Sequence, residues 1–246
     1  MDHESLYKTI FARKSVRTYA IEGLDEKTLE SVRSAATEIV PLFPEIRVEL
    51  RIVESNQVRG MFKVGAPHFL AFFSEPKNGC HANAGFMMQQ MDLWFSSMGI
   101  GSCWQGGPKV TGSVVAPSGM EYVTMLAFGR PGEDVHRGSV AEFKRDPLAK
   151  ISKVVGADGI LESARLAPSG MNNQPWLFTG DAARVNAFAD KSMVVGRMNQ
   201  VSTGNALCHL WLAAEHAGKK TAMIRDPSAK SNEPRGYAYV ASLLMA

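Results

Sequence analysis

The sequence predicts an α+β chain made of two related α/β halves that pack together as an intramolecular pseudo-dimer. Three observations carry this expectation. LESVRSA (Leu29 to Ala35) recurs 132 positions later as LESARLA (Leu161 to Ala167), with Leu, Glu, Ser, Arg and Ala retained. After each copy come strand-like runs and one long apolar helical stretch, in similar order. Both long helical stretches run into a glycine, Gly99 and Gly218, the residue that most readily takes the left-handed cap at a helix end. The short match gains its weight from this shared order of elements.

In the first half, SLYKTIFA reads as a helix and leads through RKSVR to a turn at Ile21 to Gly23. LESVRSA forms the next helix. VELRIVE alternates apolar and polar residues as a half-buried strand does, whereas APHFLAFFS is apolar almost throughout, as a central strand is. In GFMMQQMDLWFSSMGIG, residues Phe86, Met87, Met91, Trp94, Phe95 and Met98 recur at helical spacing, and EYVTMLAFG closes the half as a strand. GIGSCWQGGP (Gly99 to Pro108) is expected to be a loop. Its glycines invite a dinucleotide-binding reading, but Trp104 stands where GxGxxG needs its third glycine, and the glycines follow a helix instead of opening one. APSGM at Ala116 to Met120 reads as a connecting turn.

The apolar pattern breaks between Gly132 and Gly156, which places the seam there and the halves at 1–140 and 141–246, the second intertwined with the first. The second half continues with LESARLA as a helix and WLFTG as a strand. GNALCHLWLAAEHAG then sets Leu207, Leu210, Trp211 and Ala214 on one helical face, followed by the strands KTAMI and YAYVASLL.

Composition narrows the function. Over 246 residues, 45% apolar and 21% charged content fits a globular protein with a sizeable core. A net charge of +3 suits an anionic small molecule but falls short of a nucleic-acid surface, and no nucleic-acid or membrane partner is expected. No apolar run reaches signal-peptide or membrane-spanning length, which favours the cytoplasm. Three cysteines without a CxxC and six histidines without metal-ligand spacing give no expectation of a disulfide framework or a metal site.

Three stretches could hold a ligand. RKSVR gathers Arg13, Lys14 and Arg17 around Ser15, a set matched to phosphate oxygens or simply a solvated basic face. Lys144 and Arg145 form a second basic pair with the same two readings, while Gly106 and Gly107 let backbone amides approach a flat ligand. In LAPSGMNNQPW, hydroxyl, amide and bare backbone groups lie within a few residues. They suit the polar edge of a heteroaromatic ring, or serve an ordinary helix-to-strand loop.

Together these residues resemble the nitroreductase family of flavin enzymes. RKSVR is similar to its N-terminal basic-serine-basic motif, PSGMNNQPW to its P-S-x-x-N-x-Q-P-W segment, WQGG to a short loop beside the flavin and FKRDPL to its C-terminal basic motif. The order is unusual, because the P-S-x-x-N segment follows the second LES helix, while ATEIVPLFPEIRVEL follows the first. This arrangement resembles the single-chain, duplicated nitroreductases first described from a thermophile.

The resemblance implies a nitroreductase-like fold and one complete FMN site across the pseudo-interface, with the opposite site empty. Arg13, Lys14 and Ser15 would meet the phosphate and ribityl end, completed by Lys144 and Arg145, and Arg17 the N1/C2 side of the ring. Gln105, Gly106 and Gly107 would lie along N5, with Pro168, Ser169, Gly170 and Asn172 lining the ring from the other half. No side chain is expected to act as a catalytic acid, base or nucleophile. The implied activity is ping-pong reduction of nitroaromatics, quinones or a related small-molecule acceptor by NAD(P)H. The chain would act as a monomer or a weak homodimer. A flavin-binding storage or sensing protein, or a dehydrogenase or dehalogenase branch of the same superfamily, would carry the same motifs.

Overall fold

The first two helices are started by aspartates whose carboxylates accept from amides that an opening turn leaves unpaired, Asp2 from Glu4 N and Asp25 from Thr28 N. In the computed structural model, which describes residues 1–246, α1 spans His3–Ile10 and α2 spans Glu26–Glu38. The chain continues with β1 (Val48–Glu54), the short β2 (Val58–Arg59), β3 (His68–Ser74), α3 (Cys80–Ser97), β4 (Gly101–Gln105), β5 (Lys109–Val110) and β6 (Glu121–Gly129). After α4 (Leu148–Ile151) and α5 (Asp158–Arg165) come β7 (Trp176–Gly180), β8 (Arg184–Asp190), α6 (Gly196–His216), β9 (Thr221–Ile224), α7 (Pro227–Ser231) and β10 (Tyr237–Met245).

Two four-stranded sheets result, in the orders β1-β3-β6-β4 and β7-β8-β10-β9, with every pairing antiparallel. In chain order both sheets read first, second, fourth, third, and in both the long helix lies between the second and third strands. β3 explains its own apolar run, since all seven of its residues are buried between β1 and β6. Leu70 and Phe72 pack with Met88, Met91 and Phe95 of α3, while Phe69, Ala71 and Phe73 join Val53 and Met125 on the opposite face. A larger cluster mixes Leu6, Ile10 and Phe86 with Trp176, Leu207 and Leu243, so residues 1–140 and 141–246 share one core.

The two long helices cross with their backbones almost touching. A Cβ on Gly85 would lie 1.9 Å from Val201 O, and one on Gly204 would lie 2.1 Å from Ala82 O. The contact is reciprocal, each glycine sitting over a carbonyl three residues before the other, as in a contact between like subunits. Both helices end as the glycines suggested, with Gly99 at φ +69° and Gly218 at φ +73° just beyond their C-caps.

Two sequence expectations need correction. GIGSCWQGGP is not a loop throughout: Gly101 to Gln105 form edge strand β4, in register from Gly101↔Gly129 to Gln105↔Met125, and only Gly106 to Pro108 turn away. Its register partners lie at least 20 residues away in sequence, from Gln105↔Met125 to Gly101↔Gly129, and Gly101 serves close packing, since a Cβ there would meet Val16 Cγ1 at 2.8 Å. The second correction is β8, RVNAFAD, a central strand absent from the sequence reading. Asn186 weakens its apolar pattern, and the polar group is satisfied in place by Ser242 Oγ, which donates to Asn186 Oδ1 at 2.6 Å. With β4 and β8 included, the two sheets match strand for strand. No helix is long and apolar enough to cross a membrane.

Gly204→Ala forces a methyl group into backbone atoms of α3. The variant should lose about 3 kcal/mol of unfolding free energy or more, measured by urea denaturation.

Candidate functional site

At one end of the helix crossing, a cavity of about 430 Å³ opens between residues from both sides of the seam. Ser15, Arg17, Cys103, Trp104, Gly106 and Gly107 form one wall, and Pro168, Ser169, Gly170, Asn173, Ser202 and Asn205 form the other. Phe62, Met171 and Met198 stand at its edges.

The second wall is the loop between α5 and β7, which α6 grips. Asn205 Nδ2 donates to Pro168 O at 3.0 Å, and Ser202 Oγ accepts from Gly170 N at 3.3 Å. Within the loop, Ser169 Oγ accepts from Gln174 N at 2.9 Å. Gln174 is buried and bridges outward, accepting from Asp146 N at 2.6 Å and donating to Arg165 O at 3.2 Å. Met171, Asn172 and Gln174 all take positive φ, from 45° to 60°, a conformation that non-glycine residues hold only where neighbours enforce it. The loop is therefore a braced shelf. Asn205 Oδ1 is buried against Gly85 of α3 with no hydrogen-bond partner.

Behind the other wall lies a buried polar network joining α3, β4 and α6. Arg13 and Asp92 are both almost fully buried, with Nε 3.0 Å from Asp92 Oδ2 but off the line of a hydrogen bond. Ser102 Oγ donates to Asp92 Oδ1 at 2.6 Å, and Arg13 Nη2 donates to Ser15 Oγ at 3.0 Å. Gln89 Nε2 donates to Asp92 Oδ2 at 3.3 Å and to His209 Nε2 at 3.0 Å, while its Oε1 accepts from Trp104 Nε1 at 3.3 Å. His209 Nδ1 must then carry the proton, donated to Ser163 O at 2.9 Å. Burial holds this imidazole neutral, its pKa pushed down to about 3.

Cations gather beside Ser15. Arg137 lies 4.0 Å and Arg145 5.7 Å from the centre of the Phe143 ring, on which both guanidinium groups pack. Their side-chain hydrogen bonds go to neutral acceptors, Arg137 to Arg13 O, and Arg145 to Leu166 O at 3.2 Å and to Asn172 Oδ1. Arg145 Nε is buried without a partner. Burial, with Arg13 and Arg137 nearby, pushes Arg145 down to about 10, and burial with Arg13 also lowers Arg137. Both stay protonated at neutral pH in a cluster short of negative charge.

Of the sequence candidates, Ser15, Arg17, Gly106, Gly107, Pro168, Ser169 and Gly170 face the cavity. Arg13 lies behind Ser15, and Gln105 turns from the cavity, accepting from Val64 N and donating to Trp104 O. Lys14 pairs with Glu133 at 3.2 Å, Lys144 is exposed, and Asn172 ties Arg145 to Lys144 O. Sequence reasoning missed Arg137, Asp92, Ser202 and Asn205, and had Trp104 only as the first letter of WQGG. Only Arg137, in a segment set aside as a seam, carried a signal: its own charge near FKR.

The family model described as "Putative TM nitroreductase" matches residues 5–214. The chain belongs to this nitroreductase family. It is thereby an oxidoreductase of the nitroreductase kind. Among solved structures, a nitroreductase of Thermotoga maritima is similar at 17% identity with a TM-score of 0.64, covering 100% of this chain and 94% of that one, which shows a shared fold. A nitroreductase family protein of Clostridium difficile aligns at 17% identity and a TM-score of 0.44, covering 61% of this chain and 96% of that one. A nitroreductase with bound FMN from Desulfitobacterium hafniense aligns at 15% identity and a TM-score of 0.43, covering 60% of this chain and 100% of its own. No curated protein sequence matches the chain.

The neutral His209 makes this nitroreductase acid-sensitive. Its folded pKa of about 3 lies below the ordinary 6.5, so stability is full above pH 6.5. As pH falls from 6.5 toward 3, only the unfolded chain takes this proton, at a cost of about 1.4 kcal/mol per pH unit. His209→Gln should flatten the melting temperature against pH in that window.

Proposed function

We propose that the cavity holds FMN and that the protein is an NAD(P)H-dependent oxidoreductase that reduces nitroaromatics, quinones or related acceptors by a ping-pong mechanism. The observation that carries this reading is one cavity lined by Ser15, Arg17 and an amide-rich braced shelf, with Arg137 and Arg145 gathered around Arg13, which holds Ser15. The residues present fit the group. A terminal phosphate, with up to about two negative charges, would balance Arg137 and Arg145 and give Arg145 Nε its missing acceptor. Gly106, Gly107 and Gly170 leave room for backbone amides to approach a flat surface.

Bound FMN supplies hydride and electron transfer between NAD(P)H and the acceptor. The chain's own contribution is to bind, orient and shield. Ser15 offers a hydroxyl at the phosphate end, oriented by Arg13, whose own charge is already balanced by Asp92. Arg17 faces the cavity and brings positive charge, which favours a ligand that becomes more negative on reduction. Trp104, fixed at its Nε1 by Gln89, closes one wall against water.

The same reading makes the chain a pseudo-dimer of halves 1–140 and 141–246 with one working site. Where the second half has its shelf, the stretch after α2 packs inward. Asn83 Oδ1 accepts from Leu42 N at 2.9 Å and Phe43 N at 3.1 Å, and Phe43 is buried beneath the Arg225 guanidinium, 3.7 Å from its ring centre. This inward packing supports a single working site.

Titration of the flavin-free chain should give one FMN per chain. Arg145→Ala and Arg137→Ala should each weaken FMN binding about ten-fold or more while leaving riboflavin affinity nearly unchanged. Equal losses for both flavins would remove the phosphate role. Oxidation of NAD(P)H with a nitroaromatic or quinone present tests turnover, and a yellow protein that leaves NAD(P)H untouched would overturn the proposed activity.

A further inference from the structure

The mouth of the cavity has an unusual rim. Met61 and Phe62 project on the segment between β2 and the start of β3, with Phe62 at φ 63° and 90% exposed. Across the opening, Met171 is 91% exposed, and Met193 and Val194 stand fully in solvent just before α6. These are single protruding tips, not the walls of a groove. They belong to one face, because Phe62, Met171 and Val195 line the same cavity and a Cβ on Gly107 would lie 3.1 Å from Met61 O.

Charge is sorted on the same face. Segments 56–65, 106–115, 168–175 and 191–200 contain no Asp or Glu and carry Arg59, Lys63, Lys109, Lys191 and Arg197, with the exposed Asp190 bordering the last of them beside Met193 and Arg197. Only Lys191 is ion-paired, with Glu233 from outside these segments at 2.8 Å, and Lys63 Nζ donates to Ser55 O. Arg59 and Lys109 are direct cross-strand partners, an arrangement of like charges that costs stability unless an anion lies against it.

We propose that this rim docks the protein on an anionic lipid surface, with the cavity mouth facing the headgroups. Isolated apolar tips set among unpaired cations suit insertion into the headgroup layer of a bilayer, where the tips leave water and the cations meet lipid phosphates. A second copy of the chain fits less well. A two-fold contact would bring Arg59, Lys109 and Arg197 of both copies face to face. A protein partner of ordinary kind would meet pockets for its anchoring side chains, and this face offers protrusions. The inference goes beyond the flavin reading and does not depend on it. The expectation of no membrane partner rested on the lack of a spanning apolar run, which does not register a surface that docks without crossing.

Co-sedimentation with phosphatidylcholine vesicles, with and without phosphatidylglycerol, tests the proposal. Binding should require phosphatidylglycerol and fall sharply in high salt. It should weaken about ten-fold in Met193→Ser/Val194→Ser and in Arg59→Ser/Lys109→Ser. These positions are exposed, so the variants should keep the parent's circular dichroism and FMN uptake, read in the same preparations. Equal sedimentation with both vesicle types, or unchanged binding by both double variants, would overturn the proposal. So would a concentration-dependent dimer in vesicle-free solution that both double variants abolish. Loss of FMN uptake with vesicle binding intact would instead count against the flavin reading alone.

Discussion

The approach of α3 to α6 at Gly85 and Gly204 constrains everything around it. With no side chain at either position, each backbone rests on a carbonyl of the other helix. Only at this separation can Gln89 of α3 reach His209 of α6, and so tie Trp104 of β4 into a network that crosses the seam. The same helix presents Ser202 and Asn205 to the shelf that carries Pro168 to Gly170. The cavity is thus a consequence of the crossing, since each side of the seam supplies only one of its walls.

The polar network explains how a basic site is built without an uncompensated core charge. Arg13 is buried, and its charge is met by a buried carboxylate from α3, so the pair can be held at a modest cost that neither partner could bear alone. Arg13 then works from behind, orienting Ser15. The guanidinium groups left short of negative charge are those nearer solvent, Arg137 and Arg145, stacked on Phe143. Positive charge is kept where an incoming anion can reach it.

The asymmetry of the molecule has an equally local origin. Both sheets share one strand order, yet after α2 the chain reads ATEIVPLFPE and after α5 it reads PSGMNNQPW. Large apolar residues in the first stretch are drawn into the core, where Leu42 and Phe43 lie buried. The small and polar residues of the second cannot gain from burial, and they stay at the surface of a cavity, held by side chains of α6.

What the sequence by itself determined follows from periodicity and local chemistry. The long helices, their glycine caps, the central strand at His68 to Ser74 and the PSGMNNQPW shelf are legible because each is written in contiguous residues. Strands β4 and β8 were not, because an edge strand containing Gly, Ser and Gln and a central strand interrupted by a half-buried Asn become strands only when a partner supplies hydrogen bonds. Local motifs named Ser15, Arg17, Gly106 and Pro168 to Gly170, all of which face the cavity. Arg13 and Gln105 do not, since the direction of a side chain depends on what lies behind it. Asp92, Arg137, Ser202 and Asn205 entered only through tertiary structure, because their place at the site is set by the helix crossing and the folding back of the seam, distances that no spacing in the chain records.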